Sequence, residues 1–211
     1  MAHPTVAIAF VCLAACTSTA AGADWLSDAP DPRYAAQTAF RDARSYDEAL
    51  RVWRGVEDVN GWIGARFEYD RSRAMQLSET QRSQSGPVAI HRPDAFFTAP
   101  SGVCVDLARF AVETLRAVEP QAKPAYVMIE FAPVTVAGNV LRRHWLVAFE
   151  RDGKRYFFAD SKRPGHVAGP YSSTREFMEE YAHYRGREVV AFRELESYER
   201  KTRTIATKRQ Q

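Results

Sequence analysis

The chain has 211 residues, of which 45% are hydrophobic and 26% charged, and its formal net charge is +3. This is the composition of one ordinary globular domain with enough apolar chain for a real core, and it excludes collagen-like, low-complexity and highly charged disordered classes. Much of the small positive charge lies in Arg200-Lys201-Thr202-Arg203 and Lys208-Arg209. No aromatic residues interleave it, so the tail reads as solvated and no nucleic-acid partner is expected.

In chain order, residues 6–15 form a ten-residue apolar run, too short to span a bilayer and suited to the core of an export signal. The run ends in Leu13-Ala14-Ala15-Cys16, which resembles the lipobox of bacterial lipoproteins. That resemblance implies cleavage before Cys16, lipid on its sulfur, and a chain anchored to the cell envelope and facing the periplasm. Residues 1–15 are then a signal peptide, and residues 16–45 a tether and polar N-terminal segment with Pro30 and Pro32. A domain over residues 46–195 and a basic tail over 196–211 complete the expected organisation. Cys12 leaves with the leader, and Cys104 remains as the one free thiol. Three cysteines at these positions do not form a disulfide framework.

Ser45 with Glu48 three residues later is a capping box, and Tyr46, Ala49, Leu50, Trp53, Val56 and Val59 recur at helical spacing. The pattern predicts one helix over 46–65. Residues 72–87 are polar and aperiodic, and read as a long loop. Ser101 is the expected N-cap of the next helix, which carries Val103, Leu107, Phe110, Ala111, Leu115 and Val118 on one face and ends at Glu119-Pro120. Residues 125–131, 140–150 and 155–160 are rich in Val, Ile, Phe, Tyr and Trp and are separated by Gly-Asn and Asp-Gly signals. They predict three consecutive antiparallel strands. A helix over 174–184 and a strand over 188–193 close an α+β pattern.

Cys104 falls in the first turn of its helix, where backbone N–H groups and the helix dipole stabilise a thiolate. His144 and Asp160 follow on the second and third strands, in the order of a thiol nucleophile, its base and its orienter. Hairpin register decides whether the last two can meet. If Arg151-Asp152-Gly153 is a three-residue loop, Glu150 pairs with Lys154 and His144 faces Asp160 directly. A two-residue Asp-Gly loop sends them to opposite faces unless a bulge compensates. Each residue also has a plainer reading: a small core cysteine, a hydrogen-bonded core histidine, an aspartate capping a turn.

Gly102-Val103-Cys104-Val105-Asp106-Leu107-Ala108 resembles the nucleophile helix of the transglutaminase-like superfamily. His144-Trp145-Leu146-Val147-Ala148-Phe149 and Tyr156-Phe157-Phe158-Ala159-Asp160 are similar to its His and Asp strands, and Phe67-Glu68-Tyr69-Asp70 to its upstream motif. The resemblance covers roughly residues 47–165 and implies a papain-like core, with the nucleophile helix packed on an antiparallel sheet. It implies Cys104 as nucleophile, His144 as base, Asp160 as orienter and Asp106 in a structural role. The implied activity is thiol-dependent amide hydrolysis through a thioester, most simply that of a periplasmic cysteine peptidase acting on a peptide or envelope protein. Acyl transfer to an amine and a catalytically silent envelope-binding lipoprotein are the alternatives. Trp62, Tyr69, Gln81 and Gln84 remain open as a second oxyanion donor. No cofactor is expected. No metal is either, since Cys104 with His144, His166 or His183 lacks close ligand spacing and Val105 stands where calcium-dependent relatives carry an acid.

Overall fold

The computed structural model describes residues 39–199. The expected signal peptide, the acylation site Cys16, most of the tether and the basic end of the tail lie outside the described residues.

The predicted helix over 46–65 is two helices, α1 (Tyr46–Val52) and α2 (Val56–Arg66). Ser45 caps α1 by accepting the N–H of Glu48 at 3.2 Å. Asp58 causes the break, since its carboxylate accepts the backbone N–H groups of Arg41 at 2.9 Å and Arg54 at 2.8 Å and draws the chain into a second helix start. Glu119 adds a further acceptor, for the N–H of Val56 at 3.0 Å. The periodicity runs through the break because Ala49, Trp53, Val56, Val59 and Ile63 are all buried in one core.

Residues 72–87, expected as a loop, contain α3 (Arg71–Gln76) and α4 (Glu79–Ser85). These helices are set by caps rather than by an apolar stripe. Asp70 accepts from the N–H of Arg73 and Ser78 from that of Gln81, while α4 buries no residue at all. After α5 (Pro93–Thr98), Ser101 is not an N-cap: with Gly102 it forms β2, which pairs in parallel with β1 (Glu68–Tyr69). Helix α6 therefore begins at Cys104 and runs to Val118, with Val103 at the cap position. Valine has no acceptor to offer, and the carboxylate of Asp106 reaches back to the Val103 N–H at 3.1 Å instead.

Five strands follow, β3 (Ala125–Val136), β4 (Asn139–Arg151), β5 (Lys154–Phe158), β6 (Ala168–Tyr171) and β7 (Val189–Leu195). They form one antiparallel sheet in the order β6-β5-β4-β3-β7. β6 carries no alternating apolar signal; it is a four-residue edge strand holding Pro170, the place where a missing N–H is tolerated. Alternation gives the sheet two apolar faces. Tyr126, Val147, Phe149 and Phe158 meet α1, α2 and α6, whereas Val127, Ile129, Leu146, Ala148 and Phe157 meet α7 (Thr174–Arg185). The architecture is α+β, a helix packed on each face of an antiparallel sheet. On α6, Leu107, Phe110 and Leu115 are fully buried, each contributing about 1.5–3 kcal/mol from area removed from water. Trp62 stacks against Phe97 at 5.0 Å and packs on Phe110 at 4.6 Å, fixing α2 to α6.

Candidate active site

Cys104 occupies the first position of α6 and is 6% exposed. The thiol opens onto a cavity of about 870 Å³. Met128 of β3 and Trp145 of β4, paired side by side in the sheet, line it from the sheet side, and Leu77, Val88 and Ile90 line it from the segment that carries α3 and α4. That segment is tied to the far end of the β3–β4 hairpin by polar contacts. Ser78 Oγ donates to Asn139 Oδ1 at 3.0 Å, and the Val140 N–H donates to Thr80 Oγ1 at 3.0 Å. Two ion pairs lie on the cavity wall, Arg142 with Glu79 at 3.4 Å and Arg143 with Glu130 at 3.6 Å.

The start of α6 is fixed by a fully buried carboxylate. Asp106 accepts from Arg73 Nε and Nη2, both at 2.7 Å, from the His91 N–H at 2.9 Å and from the Val103 N–H at 3.1 Å. Arg73 also donates to the Ala89 carbonyl at 2.6 Å. A guanidinium facing a carboxylate along two parallel bonds is the strongest form of this pairing. Gly102 is required beside it, because a Cβ there would stand 3.0 Å from both Asp106 Cβ and Phe96 Cε2. The structural role expected for Asp106 is thus met, with Arg73 as a partner the sequence did not reveal.

His144 and Asp160 come together, by a route different from the expected one. Arg151 pairs with Lys154, so the hairpin turn is the two-residue Asp152-Gly153, with both residues at positive φ (52° and 68°). Of the two turns the sequence allows, the structure has the two-residue one: Asp-Gly fits the tighter turn, whose twist matches that of the strands. In this register the last pair is Val147 with Phe158, and a continued β5 would send Asp160 to the face opposite His144. The strand does not continue. Ala159 and Asp160 both take left-handed conformations, at φ 56° and 77°, and turn the chain back across the end of β5. Asp160 Oδ2 then lies 3.9 Å and its carbonyl oxygen 3.3 Å from His144 Nε2.

Cys104 is on the other side of the sheet. His144 pairs with Ile129, and its ring stacks on Tyr181 of α7 at 5.8 Å and meets Phe131 at 6.4 Å, so it belongs to the α7 face with Leu146 and Ala148. Its sequence neighbours Arg143 and Trp145 take the opposite face and line the cavity with Cys104. His144 is wholly buried and Asp160 is 1% exposed. Strand alternation sets these faces: the imidazole lies with α7, while Arg143 and Trp145 on either side of it line the cavity.

On the α7 side, Tyr181 Oη lies 2.9 Å from His144 Nε2 and 3.3 Å from the Asp160 carbonyl, and Arg185 Nη1 donates to the tyrosine oxygen at 3.2 Å. One scheme fits all of these: the imidazole N–H donates to Tyr181, and the phenol donates to Asp160. The sequence predicts a helix over 174–184 but does not single out Tyr181 as a partner of His144.

Of the four residues left open as oxyanion donors, Trp62 is a core side chain, Gln81 donates to Asn139 at 3.2 Å and Gln84 is exposed on α4, whereas Tyr69, paired with Gly102 across β1 and β2, lines the cavity. Tyr198, also on the cavity, holds its proton above the ordinary tyrosine range, because it is partly buried and donates to the Glu199 carboxylate at 3.0 Å. Among the described residues no cluster of His, Cys, Asp or Glu could hold a metal ion.

Residues 49–189 match the family model described as a transglutaminase-like domain. No curated protein and no solved structure matches the chain.

Proposed function

Because the chain belongs to the transglutaminase-like domain family, we propose that it is a thiol-dependent enzyme of amide chemistry, with Cys104 as its nucleophile. The supporting observation is the position of Cys104 in the first turn of α6, opening onto a cavity large enough for a short stretch of peptide. The thiolate forms a C–S bond to the amide carbonyl carbon as the C=O π pair moves onto oxygen. Collapse then releases the amine carrying the proton that the thiol lost on ionising, and water hydrolyses the thioester to the acid and restores the thiol. Cleavage of a peptide or protein in the periplasm, by a chain anchored through lipid on Cys16, is the fuller form of this reading. Transfer of the acyl group to an amine shares its first half.

The helix start favours the thiolate in this reading, and Arg143, one of four arginines on the cavity and paired with Glu130, is the cation tested as a contributor. His144 and Asp160, the base and orienter that the family resemblance implies, face α7 and steady each other there. Their location favours a second reading, a catalytically silent envelope protein that uses the cavity to hold a peptide. A departing amine needs a proton, and Tyr198 on the cavity holds its own above the ordinary tyrosine range.

Iodoacetamide labelling of Cys104, followed on its own peptide across neutral pH, separates these readings. The enzyme reading expects labelling well above that of an ordinary thiol, slowed in Arg143→Met and unchanged in His144→Ala. Slowing in His144→Ala instead would restore the direct pair and overturn the assignment of Arg143. Ordinary-thiol labelling in the parent protein would leave the binding reading standing. For the anchor, globomycin-sensitive processing and detergent partitioning, both lost in Cys16→Ser, are the expected results.

A further inference from the structure

The charge nearest Cys104 along the chain is Asp106, two residues on, in the same first turn. An uncompensated carboxylate there would oppose a thiolate, just where the helix dipole favours one. The carboxylate is fully buried, and Arg73, whose side chain is 10% exposed, takes both of its oxygens. The other charges on the cavity are Glu79 and Arg82 on α4, Glu130 on β3, Arg142 and Arg143 on β4, Arg193 on β7, and Glu196 and Glu199 just beyond it. They number four of each sign and so leave the cavity's own balance even. Arg73 is therefore the group that decides whether the start of α6 presents a net negative or a neutral pair to the thiol.

Arg73 also has a geometric role. It comes from α3, 33 residues before Asp106, and its donation to the Ala89 carbonyl ties the chain leaving α4 to the same carboxylate that holds the Val103 and His91 N–H groups. A single guanidinium thus fixes one wall of the cavity against the turn that carries Cys104.

We propose that Arg73 is a positioning residue for Cys104, which cancels the charge of Asp106 and locks the first turn of α6 against the α3–α4 wall. The inference rests on Cys104 being the reactive group. It applies to the residue's environment and not to the substrate.

The test is iodoacetamide labelling of Cys104 in the full-length protein, read by mass spectrometry on the Cys104 peptide across neutral pH. Arg73→Met leaves Asp106 without its counter-ion, and labelling at neutral pH is expected to fall roughly tenfold, as for a thiol whose pKa rises by about one unit. The charge-neutral double variant Arg73→Met/Asp106→Asn is expected to recover to within about threefold of the parent, which a purely steric role would not produce. Parent-like labelling in Arg73→Met, or a double variant as slow as the single, would overturn the proposal. Should Arg73→Met fail to fold, Asp106→Asn carries the test, since it keeps the cation without its carboxylate and should label faster than the parent. Equal rates would count against the role. A parent that labels as an ordinary thiol would remove the functional reading, whereas a fast parent indifferent to these variants removes this inference alone.

Discussion

The phenol oxygen of Tyr181 lies 2.9 Å from Nε2 of His144, joining the middle of the sheet to helix α7 across an otherwise apolar core. Tyr181→Phe removes the oxygen while keeping the ring that stacks on Phe177 and His144. Loss of one partner in a buried polar cluster costs about 1–3 kcal/mol, to be measured by urea unfolding. Labelling of Cys104 at neutral pH should not change, since the thiol faces the other side of the sheet. Slower labelling would mean that the cluster reaches the cavity.

Gly153 has φ of 68° in the two-residue hairpin turn, and nothing lies within 4 Å of a Cβ built there. Gly153→Ala therefore isolates the conformational cost of a left-handed residue, expected at about 1–2 kcal/mol of stability. A neutral result in denaturant titration would show that the turn adopts another geometry.

Gly102→Ala places a Cβ 3.0 Å from Asp106 and Phe96, both held in place by their neighbours. Overpacking of this kind costs about 1–3 kcal/mol, and here it also displaces the turn that carries Cys104. The expected result is a lower unfolding midpoint together with altered Cys104 labelling. Loss of stability with unchanged labelling would separate the glycine from the site.

His166 is held below its ordinary value, first by partial burial and then by the nearby Arg163 and Lys162, with Glu180 opposing them weakly. Its Nδ1 lies 3.1 Å from Ser161 Oγ. Because the folded-state pKa is depressed, the unfolded chain takes up the proton first as pH falls below about 6.5. Stability is therefore lost over that descent, and the loss levels off once the folded-state pKa is passed. His166→Gln should flatten this part of the curve of urea midpoint against pH. An unchanged slope would assign the effect to other groups.

The parts that were legible in sequence are those where burial writes a period into the chain. Helix α6 shows its stripe from Leu107 to Leu115, and β3 to β5 announce themselves by β-branched and aromatic runs ending at Asp-Gly. Helices α3 and α4 were illegible because caps and cross-chain hydrogen bonds hold them, which leaves no apolar spacing to see. The pairing of Arg73 with Asp106 spans 33 residues and has no local signature. At the site, the residue types were readable but their faces were not. Whether Arg143 or His144 meets the cavity is a matter of one residue of register, and Asp160 reaches His144 through two left-handed residues, neither of them glycine.

Helix α4, one side of the wall over Cys104, buries no residue and is held to the hairpin by polar contacts, hydrogen bonds to Asn139 and Val140 and the Glu79–Arg142 ion pair. Segments with so little apolar anchorage open at a small fraction of the free energy of global unfolding. Amide hydrogens of α4 should therefore exchange with solvent far sooner than those of β3 and β4 beneath them. The part of the cavity wall that α4 contributes is therefore the part held most loosely, above strands locked by their backbone ladders.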